Sequence, residues 1–236
     1  MKLLAIETAT EACSAALLID GEILERHEIA PQQHAELLLG MVDDLLGQTG
    51  LSIVELDAIA FGQGPGSFTG LRIAAGVVQG LAFGAGVPAV PVSTLQVLAQ
   101  TVRTVHGVDR AACAFDARMG EVYWGLYEVG AGEEGVMQPL GPDEVSAPDE
   151  VSLPAQGEMS RGGWVGAGSG WSSYGDALTV RLGDVAAIDH ELKPRAGILA
   201  TLGAHWLSLG RTVPAHEIRP VYLRNQVTRA PRARRA

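Results

Sequence analysis

Twice along the chain an apolar strand ends in one acid, turns through small polar residues and returns as a second apolar strand. The first copy, LLAIETATEACSAALLIDG, spans residues 3–21. The second, AACAFDARMGEVYWGLYEVG, spans 111–130 and sets Asp116 where the first has Glu7. A strand pair cannot bury its own faces, so a repeated pair implies a repeated sheet with helices of its own. The chain therefore divides into two related lobes, 1–107 and 108–236, with the helical stretch 195–210 able to pack between them.

Within the first lobe the elements can be read in order. Asp20-Gly21 joins CSAALLI to EILERHEI as a tight hairpin, so three antiparallel strands open the fold. HAELLLGMVDDLLGQ (34–48) then places Leu38, Met41, Val42, Leu45 and Leu46 at helical spacing, opposite Glu36, Gly40, Asp43 and Gly47. Gly50 stops that helix. LDAIAF is a short buried strand, a second helix covers about 67–84, VPAVPVS is the next strand, and Ser93 or Thr94 caps a helix through about 105. The order βββαβαβα opens a ribonuclease-H-like lobe. The second lobe is less regular, with an acidic, proline-rich stretch at 141–156, a glycine-rich turn at 165–171 and an extended end, PVYLRNQV.

GQGPGSFTGLR, at 62–72, joins the fourth strand to the second helix. Glycines before a helix N-terminus can cradle an anion, but the P-loop lysine is absent and the Rossmann glycine spacing fails. Gly64, Pro65, Gly66 and Ser67 read better as a helix-launching loop: glycine for unusual backbone angles, proline to fix φ, serine as cap. The helix it launches is apolar nearly all round. Gly76, Gly80 and Gly84 line one face, open to close helix approach, and Ile73, Val77 and Leu81 line another. One sheet covers one side of a helix. The expected interface is therefore a four-helix contact with a partner, through Leu38, Met41, Val42, Leu45, Leu46, Ile73, Val77 and Leu81, with full burial inside one chain as the alternative. Residues 71–92 approach membrane-spanning length, but four glycines, two prolines and α/β signals on both sides favour a soluble unit.

No catalytic residue can be assigned. Glu7 and Asp116 end equivalent strands, where phosphotransferases place carboxylates, yet ETATEACS lacks the glycines that admit phosphates. HxxxH and HExxH are absent, leaving no expected metal site, and Ser67 has no recognisable base or orienting acid. Asp116, Arg118 and Glu121 surround a turn that is either plain surface or a partner contact. Cys13 and Cys113 lie in apolar runs without redox or zinc spacing, and the N-terminus carries too short an apolar run for a signal peptide, which together favour an intracellular setting. The net charge of −10 argues against nucleic-acid binding by the body, but six arginines, Arg219, Arg224, Arg229, Arg232, Arg234 and Arg235, fall in the last 18 residues. That tail is either solvated or touches an anionic partner such as RNA.

Taken together, IETATEACSAAL, GQGPGSFTGLRI, GLAFG, VSTL, DARMGEVYW and PVYLRN resemble the bacterial TsaB (YeaZ) family over essentially the whole chain. The resemblance implies an α/β fold of two ribonuclease-H-like lobes in the actin-like ATPase superfamily and a cytoplasmic, non-catalytic dimerisation subunit. Such a subunit is needed by its paralogue, the transferase TsaD, to threonylcarbamoylate the adenosine beside the anticodon of tRNA. Implied partners are TsaD, the ATP-hydrolysing TsaE and a second copy of the chain, with tRNA met through the complex. No cofactor is expected to bind the chain tightly by itself, and a nucleotide at the joint with TsaD stays open. The two metal-binding histidines of TsaD match Thr94 and Leu98 here, neither able to ligate. Glu7 departs from the family's usual Asp. An ATP-dependent phosphotransferase of the actin-like class and a metalloprotease are the rival readings.

Overall fold

Leu4 and Ile6 of β1 (Lys2–Glu7) point to one side of their strand and Leu3 and Ala5 to the other, and all four are fully buried. A strand with period-two side chains and no exposed face must be covered on both sides. The computed structural model, which describes residues 1–130, 135–154, 163–183 and 185–224, supplies that cover from two distant parts of the sequence.

β2 (Ala12–Ile19) and β3 (Glu22–Ile29) run antiparallel to β1 and to each other in turn, while β4 (Ala58–Gly64) and β5 (Ala89–Ser93) extend the sheet in parallel. The order is β3-β2-β1-β4-β5. On one face lie α1 (His34–Thr49) and α2 (Phe68–Ala85), which set Leu38, Leu45, Ala74 and Val78 on Leu4, Ile6 and Leu17. By length and composition α2 could cross a membrane; in the fold it lays Leu71, Ala74, Ala75 and Val78 into this core.

After β5 the chain leaves for the other lobe. α3 (Thr94–His106) packs Leu95, Leu98 and Val102 on a second sheet built from β6 (Arg110–Arg118), β7 (Glu121–Val129), β8 (Met137–Pro139), β9 (Glu144–Ser146), β10 (Trp164–Ala167) and β11 (Val185–Asp189). Its order, β11-β10-β6-β7-β8 with β9 also on β7, repeats the first sheet: an antiparallel hairpin extended by two parallel strands. α4 (Ser169–Leu182) covers the opposite face through Trp171, Leu178 and Leu182. The chain then returns, and α5 (Ala196–Ser208) closes the open face of the first sheet with Leu199, Leu202 and Trp206 on Leu3, Ala5 and Val90. A Cβ at Gly203 would lie 2.6 Å from the Ala60 Cβ, so glycine there sets how near α5 comes to β4. The sequence cut near residue 107 thus separates the two sheets but not their cores, because α3 serves the second sheet and α5 the first.

One segment differs from expectation. Residues 165–171, read as a glycine-rich turn, form the end of β10 and the start of α4. Trp171 packs so closely over Gly166 that a Cβ there would lie 2.6 Å from the indole, which is why the strand carries a glycine. The polar run SGWSSYGD hides the helix, whose backbone also departs from helical angles at Tyr174 (φ −137°, ψ 20°).

Candidate partner-binding face

α1 carries more leucine than its sheet can take, and the structure separates what goes inward from what stays outside. Leu38, Met41, Val42 and Leu45 are buried in the chain's own core, at 0%, 8%, 3% and 0% exposure, and so cannot form the expected interface. A helical apolar stripe faces whatever hydrophobic layer is nearest, and here that is β1 and β2. Leu46, Ile73, Val77 and Leu81 are half-buried and pack against that core along the α1–α2 side of the lobe. Leu46 and Leu81 also line a shallow groove with Leu39, Gly40, Gly47 and Ile53. Facing out are Leu39, at 54% exposure, and Phe83, at 81%.

Between these apolar residues the helices are bare. Gly40, Gly47, Gly76, Gly80 and Gly84 are all exposed, and a Cβ at any of them would meet nothing within 4 Å. Five glycines inside two helices cost about 0.5–1 kcal/mol each relative to alanine, and nothing in the chain's own packing requires them. Their placement suits a second pair of helices brought into backbone contact.

The launching loop is spent within the chain. Gly64, at φ +113°, precedes a cis bond to Pro65 and donates its N–H to the Thr94 hydroxyl at 3.2 Å. Ser67 donates its N–H to the Ala9 carbonyl at 2.7 Å and accepts from the Gly70 N–H at 3.3 Å. The loop lies directly on the β1–β2 turn, since a Cβ at Gly66 would sit 2.5 Å from the Ala9 carbonyl oxygen. The amides of Gly64, Ser67 and Gly70 are therefore committed to protein acceptors.

Across from this loop the two lobes leave a cleft of 540 Å³, lined by Glu11, His34, Ser67, Phe68, Asp116 and Arg118 among others. Asp116 accepts from the Arg118 N–H at 2.8 Å and from its guanidinium at 3.0 Å, while its own N–H donates to the Ser169 hydroxyl at 3.1 Å. Arg118 is otherwise open to solvent, and Glu121 is taken by Arg224 of the same chain. Among the described residues no three His, Cys, Asp or Glu side chains converge as metal ligands would. Glu7 ends β1 almost wholly buried. Burial pushes its carboxyl up to about 7 against the backbone N–H groups of Ala9, at 2.7 Å, and Thr8, and among the described residues its Oε2 has no close hydrogen-bond partner.

A family model described as TsaD, tRNA N6-adenosine threonylcarbamoyltransferase, matches residues 24–160. The tRNA threonylcarbamoyladenosine biosynthesis protein TsaB of Escherichia coli K12 is 41% identical over 232 residues, covering 96% of each chain. The chain belongs to the TsaB family. The TsaB protein of Haemophilus influenzae is 37% identical over 97% of this chain and 95% of its own. The solved structure of YeaZ from Pseudomonas aeruginosa superimposes with a TM-score of 0.86 at 44% identity, over 94% of this chain and 99% of that one.

In this TsaB-family chain Thr94 and Leu98, which the resemblance sets against the transferase histidines, are both engaged in the fold. The Thr94 hydroxyl accepts from Gly64, and Leu98 is fully buried, with its methyl 2.9 Å from where a Cβ on Gly168 would stand. Sequence reasoning passed over a polar cluster beside them. Asp143, partly buried, accepts from the Ser93 hydroxyl at 2.5 Å and from the Tyr127 hydroxyl, joining β5 of one sheet to β7 of the other. Burial raises the Asp143 carboxyl above its ordinary range, partly offset by the two hydroxyls. Nothing local marks the residue, since it sits in an acidic loop stretch and its partners are 50 and 16 positions away. Asp143→Ala should cost about 1–3 kcal/mol, because the buried Tyr127 hydroxyl and the half-buried Ser93 hydroxyl lose their shared acceptor, while Asp143→Asn should cost less. Denaturant unfolding of both variants checks this, and equal losses would show that the hydrogen bonds are not what the site contributes.

Proposed function

We propose that this chain is a non-catalytic, cytoplasmic subunit of the machinery that makes threonylcarbamoyladenosine in tRNA, and that it docks through the outward face of α1 and α2 on a TsaD-type transferase. The observation that carries the reading is the bare helix pair, in which exposed Leu39 and Phe83 flank five glycines that the chain's own packing does not need. The biosynthetic role for which its relatives are named supports the choice of pathway. Against chemistry of its own stand a Glu7 carboxyl that burial pushes up to about 7, committed amides in the glycine loop, and Thr94 and Leu98 at the positions the resemblance sets against the transferase histidines.

In this reading a second copy occupies the same face when the transferase is absent, and TsaE joins the assembled pair. A nucleotide, where one takes part, sits at the joint between subunits rather than in this chain. Mixing the chain with TsaD and TsaE and measuring complex mass together with tRNA modification tests the proposal. The expected result is a stoichiometric complex, with modification dependent on the added chain. A chain that ignores TsaD, or that hydrolyses ATP at a clear rate alone and loses that activity in Asp116→Ala, would move the reading to the phosphotransferase class.

A further inference from the structure

Beyond α5, residues 210–224 run back over the first lobe and are fastened to it along their length. Val213 exchanges both backbone hydrogen bonds with Ala89 on the edge strand β5, at 2.8 and 2.9 Å, and Ile218 is buried in the core that α1 and α2 share. Val221 donates its N–H to the Gln63 carbonyl at 2.8 Å. The Tyr222 hydroxyl accepts from Arg72 Nε at 3.0 Å, and its ring lies 5.3 Å from that of Phe68. At Arg224 this strap leaves the first lobe for the β6–β7 turn of the second. The guanidinium donates to the Glu121 carboxylate, to the Arg118 carbonyl at 3.2 Å and to the Met119 sulfur at 3.0 Å.

Both sides of that contact carry a cost that a passive tail would avoid. The turn sets Arg118, Met119 and Gly120 at φ +63°, +60° and +81°, and the first two carry side chains that rarely adopt left-handed backbone. Asp116 steadies the turn from within its own lobe, through the Arg118 N–H and guanidinium. Arg224 steadies it from the other lobe. Its side chain is only 15% exposed, and among the described residues its buried Nε has no hydrogen-bond partner. A guanidinium with nothing to hold would stay in water, where each of its N–H groups is met.

The place of the contact decides what it does. Main chain passes between the lobes at β5–α3 and again at β11–α5, and each passage is tied down. Ser93 donates to Asp143, which also holds Tyr127 of β7, and Lys193 lies 3.2 Å from Glu11 of the β1–β2 turn. Two bodies joined at two points still swing about the line between them, and a third tie away from that line stops the swing. Arg224 ties Glu121, six residues along β7 from Tyr127, or about 20 Å at strand spacing. The turn it grips lines the inter-lobe cleft through Asp116 and Arg118, and Ser67 and Phe68 of the first lobe line the same cavity.

We infer that residues 210–224 are a strap and Arg224 its latch. Bound to Glu121 and the Arg118 carbonyl, Arg224 holds the second lobe against the first and fixes the width of the cleft; when it lets go, the lobes part about their two main-chain passages. A charged contact made by one partly exposed side chain suits that use, because it releases without unfolding either lobe. The latched chain offers a docking partner one rigid body. The inference concerns the chain alone and does not depend on which partner that is.

The test reads cleft width directly. Spin labels go on Gln33→Cys and Ser172→Cys, exposed positions on opposite lobes close to His34 and Ser169 of the cleft. Cys13 and Cys113 are buried, and excess unlabelled chain suppresses distances between copies. With the native strap the labels should give one narrow distance. Arg224→Ala and Glu121→Ala should each give a longer, broader distribution, and the double variant should be no broader than Arg224→Ala. By hydrogen exchange, Arg224→Ala should speed the amides of the β6–β7 turn about 10- to 100-fold, as loss of a charge-assisted contact implies, while the Val221 N–H and the β1 amides keep their protection. That pattern would show the latch open with the strap seated and the lobes folded. A distance that stays narrow in Arg224→Ala, or one already broad with the native strap, would overturn the inference.

Discussion

Gly80→Arg is expected to give a chain that is folded, slightly more stable than wild type, and unable to join its partner. Gly80 lies on the exposed side of α2 with nothing within 4 Å of where a Cβ would stand, so the new side chain meets no clash inside the chain. Replacing a helical glycine gains about 0.5–1 kcal/mol. The same side chain stands where a partner helix must approach α2, and burying its charge unpaired at that contact costs several kcal/mol, enough to lower association by about 100-fold or more. Denaturant unfolding of the lone chain, light scattering with TsaD and tRNA modification read the three effects separately. A variant that still associates would show that the glycine face points at solvent in the assembly. Leu45→Glu is the contrasting case: with Leu45 fully buried against the sheet, it should destabilise the lone chain itself, so a lost association there says nothing of the face.

That contrast marks what periodicity can and cannot disclose. The duplicated strand pairs, the helices at 34–49 and 68–85 and the two-sheet plan were legible because each depends on local spacing and punctuation. The direction in which an apolar stripe faces was not. Leu38, Met41, Val42 and Leu45 have the same spacing whether they meet a sheet or a sister subunit. In the structure the outward face is marked by Leu39 and Phe83, which the apolar stripe leaves out, and by glycines, of which the sequence already set Gly76, Gly80 and Gly84 on one open face. α4 was hidden for a related reason: its cover of the second sheet rests on Trp171, Leu178 and Leu182, too sparse among serine and glycine to read as a stripe. The meeting of Phe68 and Arg72 with Tyr222 spans about 150 positions, and no single-sequence signal reports a contact of that range. The outer four arginines of the tail, Arg229, Arg232, Arg234 and Arg235, lie outside the described residues.

Glu7→Gln should remove a pH dependence of stability that the wild-type chain carries between about 4.5 and 7. The Glu7 carboxyl is pushed up to about 7 in the fold against 4.5 as its ordinary value, because burial opposes the charge and the backbone N–H groups of Ala9 and Thr8 only partly offset it. Gly62 presses on it, since a Cβ there would sit 2.1 Å from Oε2. Within that window the folded chain holds the proton more tightly than the unfolded chain, so stability falls as pH rises and levels off above about 7. The full loss is on the order of 3 kcal/mol, from 1.36 kcal/mol per pKa unit. Below 4.5 both states are protonated, and the glutamine variant should resemble wild type. At pH 8 it should be the more stable of the two by about that amount. Denaturant midpoints for both chains at pH 5, 6, 7 and 8 decide it, and parallel profiles would mean that Glu7 stays ionised in the fold. The sign also bears on function. Pushed up to about 7 and packed beneath Gly62, the Glu7 carboxyl carries its charge at a cost near neutrality, the opposite of a carboxylate held ionised to orient a cation or a reacting water.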